Sequence, residues 1–202
     1  MKASQFGVIV LALSGLISTA AMASDPEAGK AKSAACAACH GPDGNSTNPI
    51  WPSLAGQHAS YIVKQLMDFK SGARADSTMM GMVATLTEED MKDLAAYYES
   101  QASKPVAYND ELIEKGEDIY RGGIAETQMA SCMGCHSPSG EGNGPAAWPS
   151  LKGQHSEYLV MQLKNFQSGA RANDSNAMMR NLVARMSEAE MQAVAAYISG
   201  IQ

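Results

Sequence analysis

The sequence predicts an all-α protein built from two copies of one small domain, and three observations carry that prediction. Apolar residues recur at helical spacing in matching segments, no alternating strand pattern of any length occurs, and one stretch is repeated nearly whole. Residues 51–74, WPSLAGQHASYIVKQLMDFKSGAR, match residues 148–171, WPSLKGQHSEYLVMQLKNFQSGAR, at 16 of 24 positions with an offset of 97. The chain is therefore a tandem duplication.

The elements follow in order. Residues 1–23 open with Lys2, continue through an apolar run at 6–17 broken only by Gly7, Ser14 and Gly15, and end in the small-residue site Ala21-Met22-Ala23. This is the pattern of a secretory signal peptide cleaved after Ala23, and the run is short for a membrane span. An uncleaved anchor is the competing reading. The predicted mature chain starts at Ser24 and is exported to a periplasm-like compartment. It carries 21 acidic side chains against 14 basic ones, so nothing in it resembles a basic nucleic-acid footprint. Complementary charge with a protein partner is one use of that acidity, and solubility is the other.

Asp25 and Pro26 suggest an N-cap and first helical residue leading an Ala-rich helix into Cys36, and Asn109-Asp110 repeats the signal before Leu112, Ile113 and Ile119. Tyr61, Ile62, Leu66 and Phe69 form the stripe of a second helix, matched by Tyr158, Leu159, Leu163 and Phe166, and read as packing residues. The last helix of each copy opens with a capping box, Thr87 with Asp90 and Ser187 with Glu190. Between the copies, residues 100–109 contain Ser103, Lys104 and Pro105 and no helical stripe. The expected division is 24–102 for the first domain, 103–107 for the linker and 108–202 for the second.

All four cysteines lie in two copies of one pentapeptide, Cys36-Ala37-Ala38-Cys39-His40 and Cys132-Met133-Gly134-Cys135-His136. Two thiols one short turn apart can each add to a vinyl group of one porphyrin, and the adjacent imidazole then binds its iron; Cys-x-x-Cys-His is the c-type haem attachment signal. A four-cysteine zinc site usually brings its pairs roughly 15 to 20 residues apart, whereas these pairs are 96 apart and each carries a histidine. Two covalently bound haem c groups are predicted, with His40 and His136 as proximal ligands. A domain of this size buries a modest core, and with three Phe and two Trp in the chain a macrocycle would supply much of the packing surface.

A proximal histidine leaves the sixth iron position open, and a methionine sulfur there stabilises ferrous iron. Beyond Arg74 and Arg171 the register resumes at an offset of 100, aligning Val83-Ala84 with Val183-Ala184. In that register only Met79 with Met179 and Met91 with Met191 survive as methionine pairs. Met91 and Met191 fall inside the capped terminal helices, while Met79 and Met179 fall in a loop, so the latter are assigned as distal ligands. The insertion is placed to within one residue, which keeps Met80 and Met178 open, with Met82 a weaker rival. His58 and His155 are the other conceivable ligands, set against a reading as surface histidines at a helix start. Pro52 and Pro149 offer carbonyl acceptors for the second ring nitrogen of the proximal histidines. Arg74, Arg171, Trp51 and Trp148 are candidates for propionate contacts, with solvated or packed roles as alternatives.

Two Cys-x-x-Cys-His copies, each followed by Pro-Ser-Leu-x-Gly-Gln-His, with Met-Met-Gly-Met at residues 79–82 and Met-Met-Arg at 178–180, resemble the di-haem cytochrome c4 family over the whole mature chain. The resemblance implies two class I cytochrome c domains related by a pseudo-two-fold axis, each wrapped around one haem with His/Met ligation. It also implies a periplasmic electron carrier, soluble or loosely membrane-associated, that takes electrons from the quinol-oxidising complex and passes them to a terminal haem-copper oxidase. The competing functions are the haem subunit of a dehydrogenase and a di-haem peroxidase. The latter would need a displaceable iron ligand and loops that build a substrate pocket, and no such insertion occurs in either copy.

Overall fold

The computed structural model describes residues 24–201, so the signal-peptide reading lies outside the described residues. The first half contains α1 (Pro26–Lys32), α2 (Ala34–His40), α3 (Ala59–Ser71), α4 (Ser77–Val83) and α5 (Glu88–Glu99). The second contains α6 (Ile113–Gly122), α7 (Met133–His136), α8 (Ser156–Ser168), α9 (Met178–Val183) and α10 (Glu188–Gly200), with short 3₁₀ turns at Asp110–Leu112, Ala125–Thr127 and Ser175–Ala177. Among the described residues, β pairing is confined to two isolated bridges, Ile124 with Met129 and Asn143 with Trp148.

The caps explain the boundaries. The Asp25 carboxylate accepts from the backbone N–H groups of Glu27 and Ala28, and Pro26 takes the position where a missing N–H costs nothing. Both capping boxes form in full, Thr87 with Asp90 and Ser187 with Glu190. One expectation is corrected: the Ala-rich segment is two helices, because Ser33 turns its hydroxyl back onto Lys30 O at 2.8 Å and ends α1. Serine competes with the helix in this way by offering the backbone a local partner. The break sets the first cysteine pair on its own short helix, α2. Gly41, at φ +80°, then ends α2 in a backbone region closed to most residues.

Each half packs its first helix against its last. The contacts are close because a glycine sits at each crossing: a Cβ on Gly29 would lie 2.0 Å from Asp93 O, and one on Gly116 would lie 2.1 Å from Ala193 O. Lys32 ties the first crossing further, reaching Asp90 at 2.7 Å and Asp93 at 2.9 Å. The second half has one core cluster, including Tyr120, Phe166, Val183, Met191 and Val194. The first half has two, one around Ile62, Leu94 and Tyr98 and the other around Phe69, Val83 and Met91, and Leu66 and Leu86 pack against both.

The halves meet through α3 and α8 and the loops before them. Arg74 and Arg171 are both buried there, each lying over a phenylalanine of its own half, at 4.6 Å from the Phe69 ring centre and 4.4 Å from that of Phe166. Arg74 donates to the Tyr158 hydroxyl at 3.1 Å and to Gln162 Oε1 at 3.0 Å, and Arg171 donates to the Tyr61 hydroxyl at 2.9 Å and to Gln65 Oε1 at 3.1 Å. The bonds are reciprocal, as a pseudo-two-fold requires. Asn173 breaks the symmetry, since its side chain donates to Gln65 and Asp68 and its carbonyl accepts from Lys64.

Candidate haem sites

Helices α2 and α7 each end on a histidine, placing Cys36, Cys39 and His40, and Cys132, Cys135 and His136, on one turn apiece. Both histidines are buried, and both ring Nδ1 atoms face a proline carbonyl: His40 to Pro52 O at 2.8 Å and His136 to Pro149 O at 3.0 Å. A carbonyl only accepts, so each Nδ1 carries the proton and each Nε2 keeps its lone pair. Burial lowers the pKa of both imidazoles, with the proline carbonyls opposing it. Neutral rings with free Nε2 atoms are the form that binds iron.

None of the four cysteines is paired in a disulfide among the described residues, with Cys135 exposed and the others half-buried. Burial pushes the Cys132 thiol up to about 11 and raises Cys36 as well, where the Tyr98 hydroxyl opposes it. Such thiols are neutral at pH 7. That is the form in which an S–H adds across a vinyl group. Among the described residues, no group of three or more His, Cys, Asp or Glu side chains is gathered to hold a metal ion.

Met79 and Met179 are half-buried and face the cores. Met79 packs against the Phe69, Val83 and Met91 cluster, and Met179 packs against the same cluster as Cys132. Their expected loop setting is corrected: they lie in the short helices α4 and α9. Carboxylates make those turns. Asp76 caps α4 by accepting from Met79 N at 2.9 Å, and Asp174 accepts from Arg180 N at 3.0 Å while its other oxygen takes Arg180 Nε at 2.7 Å. The insertion in the second copy is absorbed just before α9, where Asn176 and Ala177 adopt φ of 52° and 56°. The rival sulfurs of Met80, Met82 and Met178 are exposed, each to roughly two-fifths.

The surface reading is corrected for His155, which is buried, while His58 is half-buried. His58 Nε2 lies 2.6 Å from Glu141 O and His155 Nε2 2.9 Å from Ser46 O, each across the boundary between the halves, and His155 is only 9% exposed. The loop preceding α3 and α8 packs on the opposite half, which occupies these nitrogens with backbone. Arg74 and Arg171 take the packed alternative described above. Trp51 remains exposed and Trp148 is half-buried.

The residues present therefore fit a haem in each half: a thiol pair, a neutral imidazole with its outer nitrogen bonded, and a thioether on the core. The cytochrome c family model matches residues 26–102 and again 113–202. A cytochrome c4 from Thiocapsa roseopersicina is 50% identical over 179 residues, covering 88% of this chain and 93% of that protein. The chain belongs to the di-haem cytochrome c4 family.

Another cytochrome c4, from Azotobacter vinelandii, is 44% identical over 204 residues, covering 96% of this chain and 97% of its own. The crystal structure of reduced recombinant cytochrome c4 from Pseudomonas stutzeri superposes with a TM-score of 0.86 at 41% identity, covering 89% of this chain and all of that one. Two covalently bound haem c groups go with membership of this family, one per cytochrome c domain, and the chain is an electron-transfer protein rather than an enzyme. Sequence reasoning missed the polar residues that join the domains: Gln57 with Gln154, Tyr61 with Tyr158, and Gln65 with Gln162. Their identity between the two copies was the available signal.

Proposed function

We propose that this cytochrome c4 is a periplasmic carrier, exported by a signal peptide cleaved after Ala23, that takes electrons from a quinol-oxidising complex and delivers them to a terminal haem-copper oxidase. Cys36, Cys39, Cys132 and Cys135 attach the haems, His40 and His136 are the proximal ligands, and Met79 and Met179 are the distal ones. The domains run 24–102 and 108–202 with 103–107 between them. The observation that carries the reading is the matched setting of the two sites: a buried histidine with Nδ1 committed to a carbonyl, and a methionine turned onto the core, in both copies.

Haem bound at these positions supplies a reversible one-electron couple. The protein's part would be to hold His40 with Met79, and His136 with Met179, in place in both oxidation states, so that little would have to move on electron transfer. The proline carbonyls hold the histidine tautomer and orientation, the Asp76 cap holds the start of α4, and Asp174 holds the first turn of α9 through Arg180. Among the described residues no helix is long and apolar enough to cross a membrane, which agrees with a carrier that is soluble or loosely attached to a surface.

The test is stopped-flow oxidation of the reduced holoprotein by membranes containing a haem-copper oxidase. Rapid oxidation of both haems, with no peroxide-dependent turnover by the isolated protein, is expected. Peroxide turnover with no oxidation by the oxidase would overturn the reading.

A further inference from the structure

The peptide group between Pro52 and Ser53 is hydrogen-bonded at both ends. Its carbonyl accepts from His40 Nδ1 at 2.8 Å, and its N–H donates to Gln154 Oε1, in the other domain, at 2.9 Å. Gln154 Nε2 also donates to Ser53 O at 2.9 Å, so the amide grips Ser53 at two points. The repeat returns the same arrangement with the domains exchanged. Pro149 O accepts from His136 Nδ1 at 3.0 Å, Ser150 N donates to Gln57 Oε1 at 2.9 Å, and Gln57 Nε2 donates to Ser150 O at 2.8 Å. Ser53, Gln57 and Gln154 are all buried.

A peptide group is a rigid plane, so fixing its N–H fixes the direction of its carbonyl. Hydrogen bonds in series also polarise one another, and drawing on the N–H makes the carbonyl a better acceptor for the imidazole. Each glutamine is itself anchored, since its Oε1 also accepts from the next residue's N–H, His58 N and His155 N, both at 3.1 Å. Each proximal histidine is thus oriented by a carbonyl that the opposite domain holds.

We infer that Gln57 and Gln154 are reciprocal positioning residues, each setting the reduction potential of the haem in the other domain through the proline–serine peptide that carries its proximal histidine's acceptor. The inference rests on His40 and His136 being the proximal ligands. A stronger Nδ1–H···O bond makes the imidazole a more basic ligand and favours ferric iron. Loosening the clamp raises the potential of the opposite haem.

The experiment compares Gln154→Met and Gln57→Met holoproteins by redox titration, following haem resonances assigned to each domain. Gln154→Met is expected to shift the ferric/ferrous equilibrium of the first-domain haem at least threefold toward ferrous, with a clearly smaller change in the second, and Gln57→Met is expected to do the converse. Hydrogen exchange at the proximal Nδ1–H of the reduced protein should accelerate in the same crossed pattern. Ser60→Ala, which removes a different bond across the boundary, to Gly144 O, should leave both haems unchanged. Gln154→Asn and Gln57→Asn, polar but one methylene too short for both bonds, are milder variants with the same expectation if the methionine variants do not mature. A shift in the haem of the substituted domain, equal shifts in both, no shift, or the same shift from Ser60→Ala would overturn the inference. Failure of the ligand assignment would show separately, as a wild-type protein without low-spin, histidine-bound haem.

Discussion

Arg171 donates to the Tyr61 hydroxyl across the domain boundary at 2.9 Å, and the repeat forms the same bond in reverse from Arg74 to Tyr158. The two arginines lie buried in one polar layer with Gln65 and Gln162. Buried charge is tolerated where every donor finds an acceptor, and this layer supplies tyrosine and amide oxygens in place of carboxylates. Each domain carries half of the layer and is incomplete without the other.

Arg171→Met should therefore loosen the pair of domains more than either domain alone. It strands the Tyr61 hydroxyl and takes one donor each from Gln65 and Gln162, which keep Arg74, at a cost of about 2–3 kcal/mol. Chemical unfolding of the holoprotein should show a lower midpoint, and NMR relaxation should show the domains tumbling with greater independence. Unchanged relaxation would mean that the layer does not hold the interface.

The helix crossings should be the sites least tolerant of a methyl group. Gly29→Ala and Gly116→Ala each force a Cβ into a carbonyl of the partner helix, and α1 must lift from α5 or α6 from α10. A loss of about 3 kcal/mol per substitution is expected from overpacking of this kind. Guanidinium unfolding followed by circular dichroism measures it, and a loss below about 0.5 kcal/mol would contradict the close crossing.

Acid should release the linker. The Lys104 ammonium beside Asp43 holds its carboxyl down at about 2, against an ordinary value of 3.8, with slight burial opposing and Asn45 assisting. A carboxyl depressed in the folded state contributes stability that is present above the ordinary value and is lost as pH falls through the folded value. Thermal unfolding of wild type and Lys104→Met should therefore differ above about pH 4 and converge toward pH 2. A gap that persists at pH 2 would assign the effect to packing of the lysine stem.

Much of this was legible before any coordinates, for local reasons. Cys-x-x-Cys-His spacing, the capping boxes and the apolar stripes of α3 and α8 are properties of residues close in sequence, and each fixes its own geometry. The methionine pair also came from sequence, but only as a register. That Met79 and Met179 sit in helical turns depends on Asp76 and Asp174 finding particular backbone N–H groups, which spacing alone does not dictate. The break at Ser33 turns on one hydroxyl choosing Lys30 O. The pairings at the interface were not legible, because His155 reaches Ser46 O and Gln154 reaches Ser53 only after the two copies dock. A polar residue at a helix start looks the same in one copy whether it faces water or a second domain.

The central claim is that both irons are closed by one histidine and one methionine, and the optical spectrum of the ferric holoprotein tests it most directly. Methionine sulfur on ferric iron gives a weak charge-transfer band in the red, to be quantified against total haem in wild type, Met79→Ala and Met179→Ala. The account predicts two haems' worth of intensity in wild type and the loss of half in each variant. A half-strength band in wild type, or a band that survives either substitution in full, would contradict it.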